Sequence, residues 1–210
     1  MKKAILLLMP IFTFLLVISC GNLEREKKVD KDGQDVLILT EIEEEYYLNA
    51  GNEIARVVFA ALSSELMTAM STEGVPGALS YCNIRAYPVT DSISEKFDAQ
   101  ISRLAEYYRN SNNRIEKGLD KKVFEDFKKM DSEALQSAER VIKINNQNAV
   151  FYKPILLQAQ CMACHGPKSV IGDKNLAFIR ELYPEDRAVN FNPGDLRGMW
   201  RIEVALRTDL

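Results

Sequence analysis

The chemistry of this 210-residue chain is concentrated in the run Cys161-Met162-Ala163-Cys164-His165. A Cys-x-x-Cys pair followed directly by histidine is the attachment signature of a c-type haem. The two thiols lie one helical turn apart, so both can bond to the vinyl groups of one porphyrin while the adjacent imidazole ligates the iron. The sequence therefore predicts one covalent haem c, held by Cys161, Cys164 and His165.

A Cys-x-x-Cys pair also occurs in redox dithiols and in zinc sites. Cys82 could supply a further thiolate and complete a Cys₃His zinc site with the motif. The chain has four cysteines and one histidine, and it contains no second Cys-x-x-Cys pair. That count, the histidine directly after the pair and the signs of export favour haem over both alternatives.

The N-terminus has the features of a secretory signal peptide. Two lysines precede an apolar run over residues 4–18, which is shorter than the ~20 residues that a membrane-spanning helix needs. The run ends in Val17-Ile18-Ser19-Cys20-Gly21, which is typical of a bacterial lipobox. We expect residues 1–19 to be removed and Cys20 to carry lipid. The alternatives are an uncleaved membrane helix and an ordinary cleavage site.

A lipid on Cys20 would hold the protein on a membrane of a bacterial cell envelope, facing the periplasm or the exterior. Gly21 is not acidic, and this favours the outer membrane over inner-membrane retention. Residues 20–40 are expected to form a flexible tether, because their first part is polar, charged and poor in large apolar side chains. Residues 41–210 are then expected to form one haem domain.

The overall composition is that of an ordinary globular chain, with 47% hydrophobic and 27% charged residues. The formal net charge of −3 gives no support for nucleic-acid binding. We expect neither a small-molecule substrate nor enzymatic activity. The expected partners are the membrane and a redox protein of unknown identity.

Hydrophobic periodicity predicts helices first and paired strands later, which indicates an α+β fold. The run Gly74-Val75-Pro76-Gly77 should end the first helix, and Cys82 should lie on the apolar face of the short second helix, which ends before Pro88. The predicted elements are a helix over 41–71, a second over about 76–86, a strand or helix within 99–108, a helix over 119–138 that breaks near Asp131, a hairpin of strands 141–144 and 149–155, and a last strand over 200–206.

The residues alone leave several candidates for the ligand on the second face of the iron. His165 is the only histidine, so bis-histidine ligation is excluded. Cys82, a methionine, a lysine or tyrosine, or water could take the position. Met199 is the leading methionine, since the others after the signal peptide either lie in the attachment loop or fit helix packing.

The chain resembles the single-haem c-type cytochrome domain of PAS-like fold over about residues 41–206. Ala105 and Ser111 depart from the usual pattern, which has Ser or Thr at the first position and Pro at the second. The marks of the resemblance are 78–82 (ALSYC), 103–110 (RLAEYYRN) with Asn113 and Glu116, 152–155 (YKPI), 161–166 (CMACHG), 183–188 (YPEDRA) and 194–198 (GDLRG).

This resemblance implies a PAS-like antiparallel sheet with long N-terminal helices, the haem held between helices and sheet, and iron ligated by His165 and Cys82. Side chains that could border the haem are Arg103, Arg109, Arg187 and Arg197 at its propionates, and Tyr152 and Trp200 at the porphyrin. The expected function is a membrane-anchored monohaem cytochrome in electron transfer or redox sensing. The alternative is a gas-binding or peroxidase-like protein with five-coordinate iron.

Overall fold

A computed structural model describes residues 28–29, 35–36, 38–207 and 209. The predicted signal peptide (1–19) and Cys20 lie outside the described residues, as does most of the predicted tether (20–40). Within that tether segment, two short strands pair with each other in antiparallel fashion.

The described part of the chain contains six strands and seven α-helices. They are β1 (Lys28–Val29), β2 (Asp35–Val36), α1 (Glu41–Ile84), α2 (Ala86–Phe97), β3 (Ala99–Leu104), α3 (Leu119–Lys128), α4 (Ser132–Ser137), β4 (Arg140–Lys143), β5 (Asn148–Leu156), α5 (Met162–His165), α6 (Lys168–Ile171), α7 (Asp173–Leu182) and β6 (Leu196–Ala205). Strands β3 to β6 form an antiparallel sheet in the order β3-β6-β5-β4. The predicted α+β class is confirmed, and the open sheet is consistent with a PAS-like arrangement.

The sheet is covered by helices on both faces, because successive side chains of β5 and β6 point to opposite sides. On one face, Phe151, Trp200 and Ile202 pack with apolar residues of α1 and α2. On the other face, Tyr152 and Met199 pack with apolar residues of α3 and α4. The sheet is therefore the central layer of three.

Helix α1 begins at a capping box, in which Glu43 N–H donates to Thr40 Oγ1 (3.2 Å) and Thr40 N–H donates to Glu43 Oε2 (2.7 Å). The backbone leaves helical geometry at Gly74, where φ is 67°, so α1 consists of two helical segments joined at a kink. The sequence predicted this division. By length and apolar composition α1 could cross a bilayer, a test that core helices of soluble proteins also pass.

Helix α2 is the main departure from the predicted elements. The sequence placed a helix end before Pro88, but α1 ends at Ile84 and α2 begins at Ala86. Pro88 therefore lies in the first turn of α2, where a backbone N–H has no intrahelical acceptor to lose. The predicted second helix therefore ends two residues earlier than expected, at Ile84, and the start of a new helix across the proline was missed.

The remaining predicted elements are present with shifted ends. The first part of the 99–108 segment is a strand, β3, and the 119–138 helix is divided into α3 and α4. Asp131 causes the division, because its Oδ1 accepts from the N–H groups of Glu133 (3.0 Å) and Ala134 (2.8 Å) and so caps α4. The predicted hairpin is β4 and β5, and β6 begins four residues before the predicted start.

Candidate functional site

Two cavities of about 180 and 170 Å³ lie where α1, the sheet and the loop before α5 meet. His165 and Arg197 line the first, and Cys82 and Trp200 line the second. The cavities adjoin, since Phe59, Arg103, Ile155, Gln158 and Cys161 line both. We call them the paired cavities. The structure thus brings the predicted attachment cysteine Cys161 and both predicted iron ligands to one region.

The walls of the paired cavities are largely apolar. Helix α1 contributes Phe59, Leu62, Leu66 and Met67, whose spacing places them on one helical face. Phe59 is 41% exposed and Met67 is 50% exposed, high values for large apolar side chains. An apolar surface of this kind beside a reactive motif is typical of a small-molecule or cofactor site.

The motif itself forms a short helix, as its spacing predicted. Cys161 is the last residue of a single turn of 3₁₀ helix, and α5 then carries Cys164 and His165, so the two thiols are separated by one turn. Gly166 comes directly after the motif and approaches the preceding turn closely. A Cβ atom there would lie 2.7 Å from the carbonyl oxygen of Met162, so a larger residue would displace α5.

The imidazole of His165 is oriented by a main-chain acceptor. Its Nδ1 lies 2.8 Å from the carbonyl oxygen of Ala188. A carbonyl can only accept, so Nδ1 carries the proton and the lone pair of Nε2 is available for a ligand. Loss of solvent lowers the pKa of His165 well below its ordinary value of 6.5, and the positive charges of Arg197 and Arg109 lower it further. The imidazole is therefore neutral at neutral pH, as a metal ligand must be.

Cys82 lies on the second segment of α1 with its thiol unoxidised and half-buried. Burial raises the pKa of this thiol, whereas the nearby charges of Arg103 and Arg109 act to lower it. Burial also raises the pKa of Cys164, and a Cys82 thiolate would raise it further. The two thiols are thus close enough to influence each other's ionisation.

The zinc interpretation finds no support in the donor geometry. All four residues of the Cys₃His site considered from the sequence are among those that the structure describes. Within that part of the chain, no group of three or more histidine, cysteine or acidic side chains is arranged to hold a metal ion.

A buried ion pair between Arg109 and Asp186 holds the motif through its main chain. Arg109 Nε lies 3.0 Å from Asp186 Oδ1, and the two side chains are only 9% and 7% exposed. One Arg109 terminal nitrogen donates to the carbonyl oxygens of Cys164 (2.7 Å) and Ala188 (3.1 Å), and Asp186 Oδ1 also accepts from Ala188 N–H (3.0 Å). Because the carbonyl oxygen of Ala188 also accepts from His165 Nδ1, the pair fixes the C-terminal end of the motif helix, where Cys164 and His165 lie.

Two of the four candidate arginines border the paired cavities, namely Arg103 and Arg197. The Nε of Arg197 is buried without a hydrogen-bond partner among the described residues, and burial lowers the pKa of its guanidinium to about 10. Arg103 likewise forms no side-chain hydrogen bond or ion pair in this part of the chain. Both have donors available to a ligand. Arg109, in contrast, is paired with Asp186, and Arg187 lines neither of the paired cavities.

Met199 and Tyr152 lie on the opposite face of the sheet from Trp200, and neither lines the paired cavities. Both are fully buried in the core beside α3, and the Tyr152 hydroxyl donates to Asp120 Oδ1 (2.6 Å). Their positions follow from the strand alternation that places Trp200, next to Met199, on the cavity side. Met199 is therefore a core residue here, and Trp200 is the aromatic residue that borders the site.

Sequence reasoning missed the main-chain part of the site. The carbonyl of Ala188 has no side-chain signature, and the role of Asp186 depends on Arg109, which is 77 residues away. Both residues lie in the 183–188 block, one of the blocks that carry the family resemblance. That block was the sequence feature that could have pointed to their roles.

Comparison with known proteins gives a consistent result. A family model described as Tll0287-like matches residues 32–205. Among solved structures, the chain is similar to the crystal structure of the cyanobacterial heme-protein Tll0287, with 26% sequence identity and a TM-score of 0.55. That alignment covers 80% of this chain and 98% of the cyanobacterial one. No curated protein matches.

Asp186→Asn should lower the free energy of unfolding by about 3 kcal/mol, because it leaves the buried Arg109 cation without its carboxylate. Urea unfolding followed by circular dichroism measures this. Glu116→Gln is the matched control, since it removes a carboxylate from the exposed pair with Arg114 (3.4 Å) and should cost less than about 1 kcal/mol. Equal effects of the two variants would contradict the structural role of the buried pair.

Proposed function

This chain belongs to the Tll0287-like family, and we therefore propose that it is a haem c protein, a membrane-anchored monohaem cytochrome that acts in electron transfer or redox sensing. The observation that carries the proposal is the placement of Cys161, His165 and Cys82 around the paired cavities. The similarity to a cyanobacterial haem protein supports the choice of cofactor.

The donor set fits haem c. Cys161 and Cys164 would form thioether bonds with the two vinyl groups, and His165 would offer Nε2 to the iron. The apolar side chains of Phe59 and Met67, exposed on the cavity wall, suit the face of a porphyrin.

The two arginines with available donors, Arg103 and Arg197, fit the propionates of the same cofactor. A guanidinium presents donors in a planar fork that matches a carboxylate. Arg197 has an unpartnered buried Nε, and Arg103 borders both of the paired cavities. We assign these two, rather than Arg109 or Arg187, to the haem propionates.

Cys82 is the proposed second axial ligand. When bound, haem c supplies an iron centre that gains and loses one electron. A Cys82 thiolate would favour the more positive ferric state and so lower the reduction potential. Burial raises the pKa of the Cys82 thiol, and the positive charges of Arg103 and Arg109 oppose this effect in favour of the thiolate that the role needs. With both axial positions taken by protein, transfer of electrons is favoured over binding of gases or peroxide.

Covalent attachment is the direct test of the proposed cofactor. The chain, expressed with haem c maturation machinery, should keep its haem stain on a denaturing gel. The double variant Cys161→Ser/Cys164→Ser should lose that stain, because no thioether can form. Met162→Leu, which changes the motif without removing a thiol, should retain it. A wild-type chain that carries no haem, or haem that denaturation releases, would refute the c-type proposal.

Replacing Cys82 tests the axial ligand separately. The purified ferric protein should give a low-spin thiolate signal in electron paramagnetic resonance, and Cys82→Ser should lose this signal while keeping covalent haem. Met199→Leu should leave the signal unchanged, since Met199 lies beyond the sheet. High-spin iron that readily binds carbon monoxide in the wild-type protein would instead support the five-coordinate alternative.

Membrane attachment is proposed to depend on lipid at Cys20. Wild-type protein should fractionate with the cell-envelope membranes. The non-acidic Gly21 after the lipidated cysteine favours the outer-membrane fraction. Cys20→Ser should move to the soluble fraction, because several acyl chains are lost at once. Gly21→Ala, a neighbouring control, should stay with the membranes. Membrane association that persists in Cys20→Ser would contradict the lipid anchor.

A further inference from the structure

A third cavity, of about 650 Å³, lies apart from the motif, between the segment after β3, helix α3 and the chain that leads into β6. Its volume is in the range of small-molecule sites, ~300–1,000 Å³. Neither the motif residues nor Cys82 line it. The proposed cytochrome function leaves this cavity without a role.

Aromatic surface is one of two features that the third cavity offers to a ligand. Tyr107 is 49% exposed, and its ring meets that of Phe191 edge to face, with centroids 6.3 Å apart. Phe124 and Leu196 contribute further apolar wall. A planar ring could pack against these side chains at little cost in desolvation.

The second feature is a free guanidinium. Arg187 lines the cavity with its Cζ 5.4 Å from the centroid of the Tyr107 ring. Its side chain forms no hydrogen bond or ion pair with any residue that the structure describes. Arg187 also belongs to the 183–188 block but borders neither of the paired cavities.

The other charged groups on this wall are already engaged. Glu106 is paired with Lys121 (2.8 Å) and Lys128 (2.9 Å). Asp195 Oδ2 accepts from the main-chain N–H of Asn192 (2.7 Å). Arg187 is therefore the charged donor that remains available to a ligand.

We propose that the third cavity binds a small aromatic carboxylate. The carboxylate would accept from the guanidinium fork of Arg187, and the ring would pack against Tyr107 and Phe191. A neutral aromatic molecule would leave Arg187 unused, and an inorganic anion would leave the aromatic wall unused.

The third cavity shares a wall with the motif region. The guanidinium of Arg197 lies 5.4 Å from the centroid of the Phe191 ring, and Phe191 N–H donates to the carbonyl oxygen of His165 (3.0 Å). A terminal nitrogen of Arg197 donates to the Tyr107 carbonyl oxygen (3.1 Å). A ligand in the third cavity would thus contact the two aromatic residues that hold Arg197.

Calorimetric titration of the purified full chain with benzoate and with benzyl alcohol tests the proposal. Benzoate should bind more tightly, because benzyl alcohol has the ring without the charge. Arg187→Gln should weaken benzoate binding about tenfold and leave benzyl alcohol unchanged. Arg187→Lys, which keeps the charge and loses the fork, should weaken it less. Tyr107→Leu should weaken both ligands.

Arg180→Gln is the matched control, because it removes the same charge from an exposed position on α7. It should change benzoate affinity by less than about twofold, as expected for screened surface charge. Circular dichroism verifies that each variant is folded. The proposal is wrong if the wild-type chain does not bind benzoate, if benzyl alcohol binds equally well, or if the Arg180 and Arg187 variants weaken binding to the same extent.

Discussion

The buried ion pair between Arg109 and Asp186 is the interaction on which the motif region depends. Both side chains are almost fully withdrawn from water, and a buried charge without its partner is costly. The pair spans 77 residues of sequence, so it joins the loop after β3 to the segment before β6. Through its bonds to the carbonyl oxygens of Cys164 and Ala188, it sets the position of α5 and the direction of the His165 ring. One interaction therefore supports both the local fold and the proposed ligation.

The sheet separates the chemistry of the protein from much of its structural core. Strands β5 and β6 present Phe151 and Trp200 to α1, and Tyr152 and Met199 to α3. Trp200 lines the second of the paired cavities, whereas neither Tyr152 nor Met199 lines either of them. Because successive residues of a strand point to opposite sides of the sheet, a fully buried methionine can lie one residue from Trp200 without bordering the same site.

Local patterns in the sequence were sufficient for the motif helix, the kink at Gly74, the break at Asp131 and the β4–β5 hairpin, because each depends on residues close in the chain. Helix α2 was missed because a proline can follow the end of one helix or lie in the first turn of the next. The sequence around Pro88 does not distinguish these two cases. The roles of Arg109, Asp186 and Ala188 depend on contacts between distant segments. The four candidate arginines looked alike in the sequence, and burial and pairing distinguish them.

The kink at Gly74 divides α1 into two segments that pack against different parts of the protein. The segment before it packs on the sheet through Ile54 and Val58, whereas the segment after it packs through Leu79 against Ile171, Leu176 and Ile179, in a cluster that Cys164 also contacts. Cys82 therefore lies on the α1 segment that packs beside α5, the helix that carries Cys164 and His165. The kink therefore separates the segment that covers the sheet from the segment that carries Cys82, so that each is positioned by its own packing partners.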